Sequence, residues 1–150
     1  MVRRLVKIVS MAAVVAAVVV VAAVPAFAAV AKEDIVRNLT TTQTTIDPQT
    51  KVVTVKGRVR CADAVNRAFV EVSVSQVVGR LHTVRGERFK ALLCEDGGPT
   101  PFTLRFSASE GRFAPGGATL RALTGACIGR EFESRCDFDR LTKEVRLTRS

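Results

Sequence analysis

Apolar and polar residues alternate along much of the chain with a period of two. In residues 53–61, apolar side chains at 53, 55, 59 and 61 alternate with Thr54 and with the cations Lys56, Arg58 and Arg60. In residues 70–76, three valines alternate with polar residues in the same way. A period of two is that of a β-strand with one face buried and the other in water. Both segments are therefore predicted to be half-buried strands.

Further strands are predicted at residues 102–107, 120–124 and 145–147, and weaker alternation predicts two more at residues 77–84 and 88–94. Gly and Pro residues predict turns at 95–99 and 115–117, and Arg85-Gly86 predicts another. Gly57 lies on the apolar side of its strand and indicates a bulge or the close approach of another backbone. Seven or eight short strands with polar outer faces predict a single all-β domain, an antiparallel β-sandwich. Strands of a buried parallel sheet would instead be apolar on both faces.

The N-terminal residues have the features of a helical secretory signal peptide. Arg3, Arg4 and Lys7 form a basic region, and residues 8–24 are apolar except for one serine. Pro25 then breaks the helix, and small residues at Ala26 and Ala28 suit cleavage after Ala28. An uncleaved membrane anchor is the alternative, since about 20 apolar residues can span a bilayer. We expect residues 1–28 to be removed and the protein to be secreted, either extracellular or associated with the cell wall.

The polar segment at residues 29–50 is rich in threonine and ends near the turn-forming pair Asp47-Pro48. It is expected to be a linker or an edge strand that precedes the sandwich domain at residues 51–150. Removal of residues 1–28, which carry three basic and no acidic residues, lowers the net charge from +9 to +6. The remaining chain has the length of one domain with a substantial core.

Four cysteines remain after this cleavage: Cys61, Cys94, Cys127 and Cys136. An even number of cysteines in an exported chain predicts two disulfides, for which three pairings exist. Structural zinc sites bring cysteines in closely spaced pairs. The nearest two here are Cys127 and Cys136, so a zinc site is disfavoured.

Four segments, taken in order, resemble small secreted immunoglobulin-like domains of actinobacteria. They are residues 53–61, residues 70–76, Cys94 with the following Asp-Gly-Gly-Pro-Thr-Pro-Phe, and residues 111–118. The likeness covers about residues 50–126, with Phe102 at the aromatic position that follows the proline turn. It implies an immunoglobulin-like sandwich and export, and it implies no chemistry. It also implies the pairs Cys61–Cys94 and Cys127–Cys136, with Cys61–Cys127 as the chief alternative.

Candidate catalytic and metal-binding residues are few. His82 is the sole histidine, and no motif supplies the activated serine that a catalytic triad would need. Four acidic residues flank Cys136 (Glu131, Glu133, Asp137 and Asp139), but arginines are interspersed and the spacing is not that of an EF-hand. We therefore expect no enzyme activity, no cofactor and no metal site, and calcium binding through these acids is disfavoured.

Basic residues suggest a binding role instead. Lys56, Arg58 and Arg60 share one strand face, and Arg80, Arg85, Arg88 and Lys90 follow. The favoured interpretation is a solvated outer face, and the alternative is a surface that holds an anionic cell-wall polymer through electrostatics. A nucleic-acid partner is disfavoured because the phenylalanines occupy core-like positions and offer no stacking platform. The absence of Trp and Tyr disfavours a sugar-binding module.

The leading hypothesis is a secreted or cell-wall-proximal non-enzymatic protein of unknown specific role that acts by surface binding. Its candidate partners are an anionic cell-wall polymer and an extracellular protein, and a dedicated calcium-dependent or anionic-polymer-binding module is the least favoured hypothesis. A membrane would be contacted only through an uncleaved signal segment. The alternative is a small inhibitor of an extracellular enzyme that presents the loop between Cys127 and Cys136, because a clamped loop loses less entropy on docking.

Overall fold

The computed structural model describes residues 35–63, 65, 67–94, 98–129 and 134–150, all within one compact unit, Lys32–Ser150. These residues form strands and no helix, which confirms the all-β class. The strands are β1 (Val36–Ile46), β2 (Val53–Cys61), β3 (Arg67–Val78), β4 (His82–Leu92), β5 (Pro99–Phe106), β6 (Gly116–Ile128) and β7 (Arg135–Arg149). The described part contains no helix with the length and apolarity to cross a membrane. The predicted signal peptide, with Ala26 and Ala28, lies outside the described residues.

The seven strands form one curled sheet in the order β4-β3-β6-β7-β1-β2-β5. Neighbouring strands are antiparallel except at the β1–β7 pair, where Thr45 and Ile46 pair in parallel with Thr148 and Arg149. The sheet is therefore mixed, and the prediction of a wholly antiparallel arrangement is wrong at this pair. Two antiparallel groups, β5-β2-β1 and β7-β6-β3-β4, meet at this short parallel junction.

The inward side chains of both groups share one hydrophobic core. Alternate residues of β2 and β3 point into it, as their period of two predicts. Its largest fully buried side chains are Phe102, Phe113, Ile35, Ile46, Leu120, Leu147, Val53, Val55, Val59, Val70, Val72 and Val74. Since residues from both groups line a single core, the outer faces of the two groups point away from each other.

The edge strands β4 and β5 approach each other where the sheet curls. The carbonyl oxygen of Arg85 on β4 accepts hydrogen bonds from the N–H and the hydroxyl of Ser109, each at 2.9 Å. A Cβ atom at Gly86 would lie 2.6 Å from the carbonyl oxygen of Ser107. The turn predicted at Arg85-Gly86 is therefore wrong. Gly86 lies inside a continuous strand, where the absence of a side chain permits this contact, and the actual turn lies at Gly79, with φ of 69°.

Two predictions about the ends of the domain change in the structure. The polar segment at 29–50, expected to be a linker or an edge strand, contributes β1, which lies between β7 and β2. The short last strand predicted around Val145 is the end of the 15-residue strand β7. The alternation of the sequence does not reveal its first part, because the inward positions there include the charged residues Asp137 and Asp139, which are only partly buried.

Side chains replace backbone pairing over much of the junction between β1 and β7. The Asp139 carboxylate accepts a hydrogen bond from the N–H of Leu39 at 2.8 Å, and the Lys143 ammonium donates to the Thr41 carbonyl oxygen at 2.9 Å. Both charged groups lie on β7, and both partners are backbone groups of β1. The charged residues of β7 thus close the gap that the short parallel ladder leaves open.

The structure contains the two predicted disulfides, Cys61–Cys94 and Cys127–Cys136. These are the pairs that the resemblance implied, and the alternative Cys61–Cys127 is not formed. Cys61 ends β2 and Cys94 follows β4, so the first disulfide links the two antiparallel groups. Cys127 and Cys136 lie directly opposite each other on β6 and β7, with their Cα atoms 4.1 Å apart.

Candidate binding surface

The outer face of β1, β2 and β5, called the cationic face below, is the most strongly charged surface that the described strands form. These three strands contain five basic residues and no acidic one. The five cations, all exposed, are Arg37, Lys56, Arg58, Arg60 and Arg105. Acidic residues within the described strands lie on β3, β4 and β7 instead.

The alternation of β2 places its cations on this face. Val53, Val55 and Val59 are at most 1% exposed and point into the core, so the residues between them must point outward. Successive outward side chains on a strand are about 6.7 Å apart, which sets the spacing from Lys56 to Arg58 to Arg60. The burial that holds the strand in register therefore also holds the three charges in a row.

Strand pairing adds cations on both sides of this row. Arg37 of β1 lies directly opposite Arg60, and Arg105 of β5 lies opposite Thr54. Like charges placed directly opposite in a sheet repel each other and lower stability. No ion pair to any of the five cations is found in the described part of the chain. Among the described acidic residues, Asp47, which follows β1, lies close enough to one of the cations, Arg105, for the two charges to interact. The face therefore carries a predominantly positive potential, which attracts polyanions.

Two prolines mark the outer limit of the cationic face. Pro101 lies opposite Arg58, and Pro99 lies opposite Arg60, both on the edge strand β5. Proline has no N–H to donate, so it is tolerated at a sheet edge and disfavours the addition of another strand there. The cationic face is thus bounded at β5 and presents side chains, not an open backbone edge, to a partner.

The second set of basic residues from the sequence does not belong to this face. Arg85, Arg88 and Lys90 lie on β4, and Arg80 lies in the turn before it. Arg85 pairs with Glu87 at 3.9 Å on the same strand. The structure therefore separates the basic residues into a set on β1, β2 and β5, where the strands carry no acidic residue, and a set on β4 that includes an ion pair.

The candidate catalytic and calcium-binding residues are placed as follows. His82 begins β4 and is exposed. Asp139 accepts the hydrogen bond from Leu39, and Asp137 accepts one from the N–H of Phe138 at 2.9 Å. Glu131 and Glu133 lie outside the described residues. Within the described ranges no three His, Cys, Asp or Glu side chains are grouped as a metal would require.

One group of side chains that the sequence analysis missed lies on the outer face of the other strand group. Phe89 and Phe138 are 59% and 56% exposed, and both rings contact Phe69. The prediction that the phenylalanines occupy core positions holds for Phe102 and Phe113 but is wrong for these three. The alternation along β3 could have shown that Phe69 faces outward, because Phe69 precedes Val70, Val72 and Val74, which are buried.

No protein-family model, no curated protein and no solved structure shows significant similarity to this chain. Its function must therefore be inferred from its own residues.

Proposed function

We propose that this chain is an exported, non-enzymatic protein that binds an anionic polymer of the cell envelope through the cationic face. The observation that carries the proposal is the set of five exposed cations on three adjacent strands without an acidic residue among them. Four of the five are arginines, and one planar guanidinium group can donate two parallel hydrogen bonds to two oxygens of a phosphate or carboxylate. The repulsion within this set costs stability, and a bound polyanion would relieve it.

Export and an immunoglobulin-like sandwich are part of the same proposal. Two disulfides support export, because such bonds persist in oxidising compartments. The two antiparallel groups that enclose one core support the sandwich architecture. The inhibitor alternative depends on the loop between Cys127 and Cys136, half of which lies outside the described residues, and no observation favours it.

The experiment measures binding of the full chain, produced in an exporting host, to two soluble probes: sodium polyphosphate and polygalacturonate. The double variant Arg58→Glu with Arg60→Glu is expected to weaken polyphosphate binding more than about tenfold. It should also lower the slope of log affinity against log salt by about 2, since two charge contacts are lost. Mass spectrometry of the purified protein establishes where its N-terminus lies.

The matched control is Arg80→Glu with Arg146→Glu, which changes the net charge by the same amount. Both residues are exposed and lie outside the cationic face. This control should retain most of the affinity. Equal losses in the two double variants would show that net charge alone drives binding and would overturn the proposed face. Absence of binding to either probe at low salt would overturn the proposed function.

A further inference from the structure

The outer face of β3, β4, β6 and β7 carries a cluster of exposed rings, called the aromatic cluster below: Phe69, Phe89 and Phe138. The ring centroids of Phe69 and Phe89 are 5.3 Å apart in a stacked arrangement. Those of Phe69 and Phe138 are 6.3 Å apart in an edge-to-face arrangement. Three strands contribute to the cluster, although these residues are distant in sequence.

Gly125 on β6 forms the floor of the aromatic cluster. It pairs with Phe69 on one side and with Phe138 on the other. A Cβ atom at Gly125 would lie 2.6 Å from the Phe69 ring and 2.9 Å from the Phe138 ring. Both rings therefore lean over the glycine and cover its backbone. The result is a continuous apolar surface across four strands. The Cys127–Cys136 disulfide lies two residues further along β6 and β7.

The charges around the aromatic cluster have both signs. Glu71 lies opposite Phe89 on β3, and Arg67 and Arg140 lie near the cluster on β3 and β7. All three are exposed, and Glu71 has no ion-pair partner among the described residues. A surface with an apolar centre and a rim of both signs allows a second copy to bring Glu71 close to Arg67 or Arg140. A two-fold symmetric contact requires such a surface, because each copy presents the same patch to the other.

We propose that two copies of this chain dock face to face through the aromatic cluster. Pairing of two copies through their sheet edges is disfavoured for two reasons. The edge strand β5 carries Pro99 and Pro101. The edge strand β4 carries the charged residues Arg88 and Lys90 at positions that alternate with outward-facing residues and so face inward. A polyanion is a less favoured occupant of this face than of the cationic face, because Glu71 and Glu87 lie here among the arginines, whereas β1, β2 and β5 carry no acidic residue. The mixed rim charges thus favour a second copy.

The arrangement has a consequence that rests on the proposed function. The aromatic cluster and the cationic face lie on outer faces that point away from each other. A dimer formed through the cluster therefore directs its two cationic faces outward on opposite sides. Such a dimer would cross-link two strands of an anionic polymer, and the second contact would be favoured by its high effective concentration.

The test is the oligomeric state of the full chain, measured by sedimentation over a range of concentrations up to about 0.1 mM, which detects dimers with micromolar dissociation constants. Phe89→Ser and Phe138→Ser should each raise the dissociation constant at least about tenfold, as truncation of a central aromatic contact does. Val77→Ser is the matched control, since Val77 is 67% exposed on the same face and lies outside the cluster. It should leave the dissociation constant unchanged.

A charge variant provides an independent measurement. Glu71→Arg reverses the charge opposite Phe89 and should weaken the dimer without removing an apolar contact. All these positions are exposed or at the surface, and circular dichroism verifies that each variant is folded. A chain that stays monomeric at every concentration would overturn the proposal. So would a dimer that tolerates the Phe89 and Phe138 substitutions.

The cross-linking consequence is tested separately with polyphosphate-coated beads. The wild-type chain should aggregate the beads, whereas the variant with both Phe89→Ser and Phe138→Ser should bind the beads without aggregating them. A dimer that does not bind the beads would contradict the proposed function and leave the dimer standing. A double variant that aggregates the beads as well as the wild type would contradict the cross-linking role of the aromatic cluster.

Discussion

Substitution of Gly57 by Ala tests how closely the strands around β2 approach each other. Gly57 lies on the core side of β2, opposite Thr41 on β1 and Phe102 on β5. A Cβ atom at this position would collide with the Phe102 ring and with the carbonyl oxygen of Thr40. Phe102 is 2% exposed and has no room to withdraw. The Thr40 carbonyl is part of the backbone of a paired strand and cannot rotate away. The substitution must therefore displace a strand or the ring.

The expected cost follows from two opposing contributions. Overpacking of a well-packed core costs about 1–3 kcal/mol, and the upper value applies here because a backbone group and a buried ring are both in the way. Replacement of glycine restricts the unfolded chain and offsets up to about 1 kcal/mol. The net loss in the free energy of unfolding is thus about 2 kcal/mol. At roughly 4 °C per kcal/mol for a domain of this size, the melting temperature should fall by about 8 °C.

Urea denaturation followed by circular dichroism measures this loss, with the disulfides kept intact. The control is Gly117→Ala on β6, because no atom lies within 4 Å of a Cβ built there. This variant should be as stable as the wild type or more stable by up to about 1 kcal/mol. The double variant Gly57→Ala with Phe102→Leu should lose less stability than the two single variants lose together, because the smaller side chain at 102 relieves one collision. Equal stability of the Gly57 and Gly117 variants would refute the close approach.

Three further predictions concern stability. Gln76→Leu should lower the free energy of unfolding, measured by urea denaturation, by about 3 kcal/mol. The buried Gln76 amide hydrogen-bonds the backbone N–H and C=O of Ala114 and the C=O of Gly117 at 2.8–3.2 Å, and leucine would leave these groups unpaired. The control Gln43→Leu, at an exposed position, should change the free energy of unfolding by less than about 0.5 kcal/mol. Loss of the Cys61–Cys94 disulfide should lower the free energy of unfolding by about 4 kcal/mol, and loss of Cys127–Cys136 by about 2.5 kcal/mol. The first disulfide closes a loop of 33 residues and the second a loop of 9, so the first restricts the unfolded chain more. Equal losses in the two double Cys→Ala variants would contradict this reason. Hydrogen bonds from the N–H groups of Thr50 and Gln49 lower the pKa of Asp47 below its usual value. The stability that these bonds supply is complete above the unfolded pKa of about 3.9 and is lost as the pH falls through the lower folded pKa. Asp47→Ala should therefore lower the melting temperature more at pH 7 than in acid solution below the folded pKa. An equal decrease in both conditions would show that ionisation plays no part.

The alternation of residues 53–61 was sufficient to predict the central part of the candidate site. Three buried valines define the inward side of β2, so the direction of Lys56, Arg58 and Arg60 follows from the period of two alone. The same local reasoning identified β3 and β5, since their apolar residues alternate just as strictly. It failed at Gly86, because a glycine that permits a contact within a strand and a glycine in a turn look the same in a sequence.

The sequence by itself determined which residues form most of the strands, which side of each is buried and which cations of β2 share a face. These properties depend on near neighbours along the chain, because alternate side chains of a strand point to opposite sides. Only the tertiary structure decided that Arg37 and Arg105 flank β2, that β1 and β7 meet in parallel, and that Phe69, Phe89 and Phe138 meet over Gly125. Each of these depends on which strands pair and in which register, and pairing joins residues up to about a hundred positions apart. The alternation of residues within a strand does not specify which strand pairs with it. The cationic face and the aromatic cluster therefore depend on the order in which the strands pair.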